Sequence, residues 1–302
     1  MNRRPLARLS TDFVLRRVNR IRTGVFNGDL VMTLVFATVT QANVGHIDED
    51  ESLSLRWGGI AAPPPDPLRR PVSGYAVALA LGLPRETIRR KINALVEAGF
   101  LRAVESGYVA PTEVLVDQEL IRETREDSAA ARAYFAAMAR NGAVAPEDAA
   151  RAAARPHLPR MVSRAANTYC LAVLEELRRL FSGEMMAGLV FCAIANANAR
   201  RPDAEADGPN ATERPGAPIT ALALAETVGL PRETARRHIK KLEQLGFCEG
   251  GRRGLVIPEP VLSRPAVQAT FERTGASTGR FLRQLALAGV MSAPAQVHAE
   301  AV

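Results

Sequence analysis

Six consecutive residues, Gly82-Leu83-Pro84-Arg85-Glu86-Thr87, return unchanged as Gly229-Leu230-Pro231-Arg232-Glu233-Thr234, an offset of 147. The same offset pairs Arg89-Arg90 with Arg236-Arg237, Gly99-Phe100 with Gly246-Phe247, and Pro111 with Pro258. Upstream the offset is 155, pairing Phe26-Asn27-Gly28-Asp29 with Phe181-Ser182-Gly183-Glu184 and Ala42-Asn43 with Ala197-Asn198. A chain with this internal likeness meets one packing problem twice. We read two copies of one domain, over 9–144 and 164–292, joined by a linker over 145–163. A length of 302 residues suits two domains. The change of offset gives the first copy the longer loop, Gly45 to Pro71 against Arg200 to Pro218. Both loops are rich in Pro, Gly and acidic residues and are expected to be exposed and mobile. The Ala-rich stretch from Asn141 to Pro159 is expected to be a partly helical connection.

Hydrophobic periodicity predicts the same elements in each copy. A helix (10–22; 164–180) precedes a strongly apolar one (28–43; 183–198). A short helix (74–81; 221–228) and a basic helix (85–98; 232–245) follow the loop. Two short strands (101–104 with 108–110; 247–249 with 255–257) and a long helix (117–140; 264–288) complete each copy. The expected fold is mainly α with small β-hairpins, the two units forming a pseudo-dimer with flanking helices.

At 47% hydrophobic and 24% charged, the composition excludes a disordered tail, a collagen or a disulfide scaffold. The net charge of +7 and pI near 9.9 point to an anionic partner, nucleic acid or an acidic surface. Cys170, Cys192 and Cys248 have no metal-ligand spacing and read as buried free thiols of a reducing compartment. The first 25 residues have no apolar core, and the apolar stretch from Ala187 to Ala195 is far shorter than a membrane span. The expectation is a soluble cytoplasmic protein with no membrane partner.

The short helix, the Gly-Leu-Pro turn and the basic helix read together as a helix-turn-helix. Ser73 and Thr220 are N-cap residues for the short helix. Gly82 and Gly229 stand where the chain turns sharply and positive φ is needed. Pro84 and Pro231 suit a helix start. In the basic helix Ile88, Ile92 and Leu95 form a buried stripe at i, i+4, i+7, repeated by Ala235, Ile239 and Leu242. The opposite face carries Arg85, Glu86, Arg89, Arg90 and Asn93, and in the second copy Arg232, Glu233, Arg236, Arg237 and Lys240. Only three of the 39 basic residues are lysine, and all three (Lys91, Lys240 and Lys241) lie in these helices. A lone charge run reads as a solvated face. The same face twice, behind the same turn and ahead of a hairpin, reads as a ligand surface.

With its hairpins, this string resembles the winged helix-turn-helix of bacterial transcription regulators of the IclR, GntR and MarR types, over about forty residues per copy. The tandem arrangement departs from those families, which dimerise instead. The resemblance implies that the basic helix enters the DNA major groove, with Arg85 and Arg232 at its N-terminus and Thr87 and Thr234 on phosphate. Arg89, Arg90, Arg236 and Arg237 bind guanine edges or hold phosphates, two roles the sequence leaves open. Lys91, Asn93, His238, Lys240 and Lys241 extend the implied surface. At the hairpin tips Arg252 and Arg253 add positive charge in the second copy, whereas the first carries Glu105. The second copy is therefore expected to bind more strongly. Arg3 and Arg4 are candidates for an arm along the DNA, while Arg16, Arg17 and Arg20 read as the solvent face of a helix that buries Phe13, Val14, Val18 and Ile21.

The expected function is a sequence-specific regulator of transcription, nucleoid-associated, with its two recognition helices in successive major grooves about 34 Å apart. A plasmid- or phage-type replication initiator is one alternative, and a winged-helix interaction subunit of a chromosome-organising complex another. Double-stranded DNA is the expected partner; a homodimer, an effector ligand and RNA polymerase stay open. His46, His157, His238 and His298 are scattered, and no nucleotide-binding loop is present, so neither an enzyme nor a cofactor is expected. Asn43, Asn196 and Asn198 end apolar helices and are expected to cap them rather than line a ligand pocket.

Overall fold

Gly82 and Gly229 both take positive φ, 61° and 74°, and the chain turns at each between a short helix and a basic one. The computed structural model of the chain describes residues 3–61, 63–199 and 217–292. The first half runs α1 (Arg3–Gly24), α2 (Leu30–Val44), α3 (Glu51–Arg56), α4 (Gly74–Leu81), α5 (Arg85–Glu97), β1 (Arg102–Val104), β2 (Gly107–Val109), α6 (Thr112–Leu115) and α7 (Gln118–Arg140). After α8 (Pro146–Ala154) the order resumes with α9 (Pro159–Leu180), α10 (Met185–Ala199), α11 (Ala221–Val228) and α12 (Arg232–Gln244). It ends with β3 (Glu249–Gly251), β4 (Gly254–Val256), α13 (Glu259–Leu262) and α14 (Pro265–Leu287). The protein is mostly helical, with two small antiparallel strand pairs. Helices α4 and α11 have the predicted bounds, and α5 and α12 end one residue early.

The two halves also share their local packing. Phe26, Phe36 and Phe100 meet at centroid distances of 5.1–5.7 Å, and their counterparts Phe181, Phe191 and Phe247 at 4.8–5.6 Å. Each triad ties the corner between two N-terminal helices to the third residue after the basic helix. Helices α2 and α10 are apolar on all sides and accordingly sit in the core. The segment Leu30–Ile47 is long and apolar enough to cross a membrane, but over half of it is buried inside this fold, as befits a core helix.

The halves interlock rather than sit side by side. Helix α1 packs on α10 as well as on α2 and α7, and α9 packs on α2 and α7 as well as on α10 and α14. At their meeting point Phe13, Tyr134, Tyr169 and Phe281 form one aromatic cluster, with Tyr169 stacked on Phe281 at 4.5 Å. A chain of hydroxyls from Ser10 through Tyr134 and Tyr169 to Thr278 satisfies the polar ends of the rings.

Beside this cluster lies a buried ion pair. Arg17 donates through Nε and Nη2 to both oxygens of Asp127, at 3.1 and 3.0 Å, and through Nη1 to Asn167 Oδ1. Asp127 also accepts from Ser163 Oγ at 2.7 Å and from Arg20. Phe13, Val14 and Val18 are buried as expected, but Arg17 is buried with them, at 6% exposure. Arg16 alone of the three arginines faces solvent, pairing with Asp12. The expectation failed because α1 has two covered sides, one toward its own half and one toward α9, and a single amphipathic stripe cannot reveal the second.

Asn43 and Asn198 neither cap helices nor line a pocket; each clamps a hairpin. Asn43 Nδ2 donates to the carbonyls of Arg70 and Tyr108, and Oδ1 accepts from the Ala110 N–H. Asn198 repeats this with the carbonyls of Ala217 and Leu255 and the N–H of Ile257. Asn196 donates to Asp12. Isolated bridges from Val72 to Tyr108 and from Ile219 to Leu255 tie the preceding segment to each hairpin. Asn43→Leu strands the buried Ala110 N–H and removes a donor from the Arg70 and Tyr108 carbonyls, the second of which keeps the Val72 N–H. It is expected to lower stability by about 2–3 kcal/mol and to raise hydrogen exchange at Tyr108 and Ala110; urea unfolding with amide exchange checks both.

The loop from Gly45 to Pro71, expected to be exposed and mobile, is packed against the fold at several of its described residues. Ile47 is fully buried, and Arg164 of α9 holds the loop by donating to Asp48 and to the carbonyls of Trp57 and Ser54. Its Pro and acidic residues signal exposure, but the arginines that anchor it come from a hundred residues away. Of the counterpart loop, 200–216 lie outside the described residues. Helix α8 occupies the connecting stretch and packs on α14. Cys170, Cys192 and Cys248 are buried free thiols, pushed by burial up to about 11, 12 and 12.

Candidate nucleic-acid interface

Each basic helix is held by the same devices. Ser73 Oγ and Thr220 Oγ1 accept from the N–H groups of Ala76 and Ala223, capping the preceding short helices. After the turn, Ile88, Ile92 and Leu95, and likewise Ala235, Ile239 and Leu242, are buried and fix the rotation of the basic helix. That rotation leaves Arg85, Glu86, Arg89, Arg90 and Asn93 exposed in α5. In α12 it leaves Arg232, Glu233, Arg236, Arg237 and Lys240 exposed, with Thr87 and Thr234 half-buried at the two N-termini.

The exposed arginines are partly preset. Glu86 accepts from Arg89 Nε and Nη2, at 2.9 and 2.7 Å, and Glu233 accepts from Arg236 at 3.2 Å. The hydrogen bond from Arg89 holds the Glu86 carboxyl below its ordinary value. These pairs are open to water, so they orient the guanidinium without locking it. The Arg85 guanidinium lies 4.2 Å over the ring of Tyr75. Tyr75 was missed in the sequence because its helix reads only as a support. It is 56% exposed at the start of α4, and its second-half counterpart is Leu222, so Arg232 has no such ring.

Three residues of the implied surface are engaged within the fold. Lys91 pairs with Asp29, and Lys241 with Glu184, each acid sitting at the corner between the two N-terminal helices of its half. His238, expected at the surface, is 8% exposed and lies 4.0 Å from Glu184. It follows Ala235 by three residues and precedes Leu242 by four, which places it on the covered face. Arg3 lies in α1, but the side chains of Arg3 and Arg4 are outside the described residues.

Burial, with Arg237 and Lys241 nearby, pushes His238 below its ordinary value against the pull of Glu184. Burial and Arg132 do the same to His157, despite its contact with the Gly289 carbonyl. A histidine whose folded pKa is depressed supplies stability above the unfolded value of about 6.5 and loses it as the pH falls. Stability is therefore expected to drop below about pH 6.5, and less steeply in His238→Gln. Denaturation midpoints at a series of pH values test this, and an unchanged slope in the variant would remove His238 as a source.

The hairpin tips differ as their sequences do. Arg252 and Arg253 are exposed, whereas the first tip presents Glu105 and Ser106. Arg102, the one arginine of the first hairpin, is tied to Asp66 at 3.0 Å and to Glu113 at 3.3 Å.

The halves meet again at this surface. A Cβ on Gly82 would lie 2.6 Å from the Gly183 carbonyl, and one on Gly229 would collide with the Arg22 guanidinium. Each turn is thus seated against the helical corner of the opposite half. A groove of about 730 Å³ runs between Gly82 and Leu83 on one side and Arg237, Lys240 and Gln244 of α12 on the other.

Residues 211–250, which include α11, its turn and α12, match the helix-turn-helix domain family. No curated protein and no solved structure matches the chain. The second half thus carries a helix-turn-helix domain, a class for which DNA is the supported partner and whose members are typically non-enzymatic.

Proposed function

We propose that the protein is a sequence-specific regulator of transcription that reads double-stranded DNA with two winged helix-turn-helix units, 9–144 and 164–292, arranged as a dimer within one chain. The observation that carries this reading is the pair of exposed cationic faces, Arg85, Arg89 and Arg90 on α5 and Arg232, Arg236 and Arg237 on α12, each behind a capped helix and a glycine turn. The family match supports the second unit, and the recurrence of caps, turn, phenylalanine triad and asparagine clamp supports the first. Arg252 and Arg253 suit the minor groove or backbone beside the second helix.

Selection of bound sites from fragmented genomic DNA, followed by footprinting at several salt concentrations, tests the function. The reading expects sites at promoters, protection of about two helical turns, roughly 20 base pairs, and an affinity that falls steeply with salt. Arg252→Ala/Arg253→Ala should weaken binding about tenfold, while Glu105→Ala leaves it unchanged or slightly stronger. Equal affinity for every duplex would overturn specific reading, and sites confined to replication origins would reassign the protein to initiation.

A further inference from the structure

Arg160, the second residue of α9, is 6% exposed. Its Nε donates to the Ile60 carbonyl at 2.8 Å and its Nη2 to the Leu115 carbonyl at 2.9 Å. A guanidinium has five N–H donors and stays charged at neutral pH, so three donors remain. Among the described residues no carboxylate pairs with it; its charged neighbours are themselves cationic. Burial first, then Arg164 and Arg69, lower its pKa to about 10. Those neighbours have acids of their own, Asp48 for Arg164 and Asp66 for Arg69. Arg160 is thus the one of these three guanidiniums without a carboxylate of its own among the described residues.

Arg160 lines a cavity of about 130 Å³ enclosed by α1, α2, α7 and α9. Ile21, Val25, Phe36, Val44 and Leu120 form an apolar wall opposite the arginines, and the two carboxylates that also line it, Glu123 and Asp127, are paired with Arg20 and Arg17 of α1. An apolar cavity of about 150 Å³ holds a benzene molecule, so a single six-membered ring or short branched chain matches the space. A buried cation without a counter-ion, at the edge of an apolar chamber, asks for a ligand with one anionic end and one apolar end. We propose that this cavity binds a small amphipathic monocarboxylate, its carboxylate on Arg160 and its hydrocarbon body against Ile21, Val25 and Phe36. A phosphate matches the charge but leaves the apolar wall without a partner.

The cavity also reaches the first hairpin. Gln41 and Val44 line it from either side of Asn43, the residue that clamps Tyr108 and Ala110. Arg69, on another wall, donates to Asp66, which accepts from Thr112 and pairs with Arg102 of β1. An occupant that reorients Arg69 or shifts the last turn of α2 therefore changes the support of that hairpin. The consequence for DNA rests on the proposed function; the binding itself does not.

Thermal unfolding and calorimetric titration of the full chain with benzoate, cyclohexanecarboxylate, benzamide and inorganic phosphate test the site. Expected are saturable binding of both carboxylates, a rise in Tm of a few degrees, and no response to neutral benzamide. Arg160→Gln should weaken benzoate at least tenfold. Leu120→Trp, which fills the chamber and keeps every charge, should abolish binding even if the first variant folds poorly. A response to phosphate alone, to benzamide as strongly as to benzoate, or to none of the four would overturn the proposal. In a parallel gel shift, benzoate should alter DNA affinity at least threefold in the wild type and not in Leu120→Trp. Failure to bind DNA at all would sink the regulatory reading while leaving the titration to decide the cavity.

Discussion

Asp127→Ala lowers the stability of the whole chain by about 3–5 kcal/mol, the expected effect of removing one partner from a buried ion pair. The carboxylate is the hub of the contact between halves: Arg17 and Arg20 of α1 and Ser163 of α9 all donate to it. Truncation leaves the Arg17 guanidinium inside the core with only the neutral Asn167 amide and Cys170 thiol beside it among the described residues. Arg17→Met/Asp127→Leu removes both charges at similar volume and is expected to recover most of the loss. Urea unfolding followed by circular dichroism measures both variants. A loss below about 1 kcal/mol in Asp127→Ala would mean that water reaches the pair and that the halves are held by apolar packing alone. Because α1 and α9 each pack on both halves, unfolding is expected to be a single transition.

Arg236→Ala/Arg237→Ala is expected to weaken DNA binding about a hundredfold. Each arginine contributes about 1–3 kcal/mol if it reads a base edge. If instead both hold phosphates, the slope of log affinity against log salt falls by about two, near 0.9 per contact. The two roles therefore separate in one experiment: a changed preference among sequences with the slope intact marks base reading, and a uniform loss with a shallower slope marks phosphate binding. Arg89→Ala/Arg90→Ala is expected to cost less, because the first hairpin adds Glu105 where the second adds Arg252 and Arg253. Equal losses from the two pairs would remove the asymmetry between the halves. Glu86→Gln or Glu233→Gln isolates the presetting of Arg89 and Arg236, since each carboxylate accepts its side-chain hydrogen bonds from its own arginine among the described residues.

The elements around the turns were legible because their signals are local. Ser73 and Thr220 cap, Gly82 and Gly229 turn, and the stripes at Ile88 and Ala235 set the helix faces, all within a few residues of one another. The exposed arginines followed from the same stripes. Lys91, Lys241 and His238 did not, since their environments are set by Asp29 and Glu184, which are more than fifty residues away in sequence. Asn43 looked like a helix end because its partners lie 27, 65 and 67 residues further on.

By itself, then, the sequence determined the helical elements, the repeated turns and the cationic faces, because capping, backbone freedom and 3.6-residue periodicity act over one or two turns of chain. Only the tertiary structure decided that the halves interlock, that Arg17 and Arg160 are buried, and that the long loop is anchored. Each of those depends on which distant surface covers a residue, and burial of a charge is settled by the partner that arrives from elsewhere in the fold.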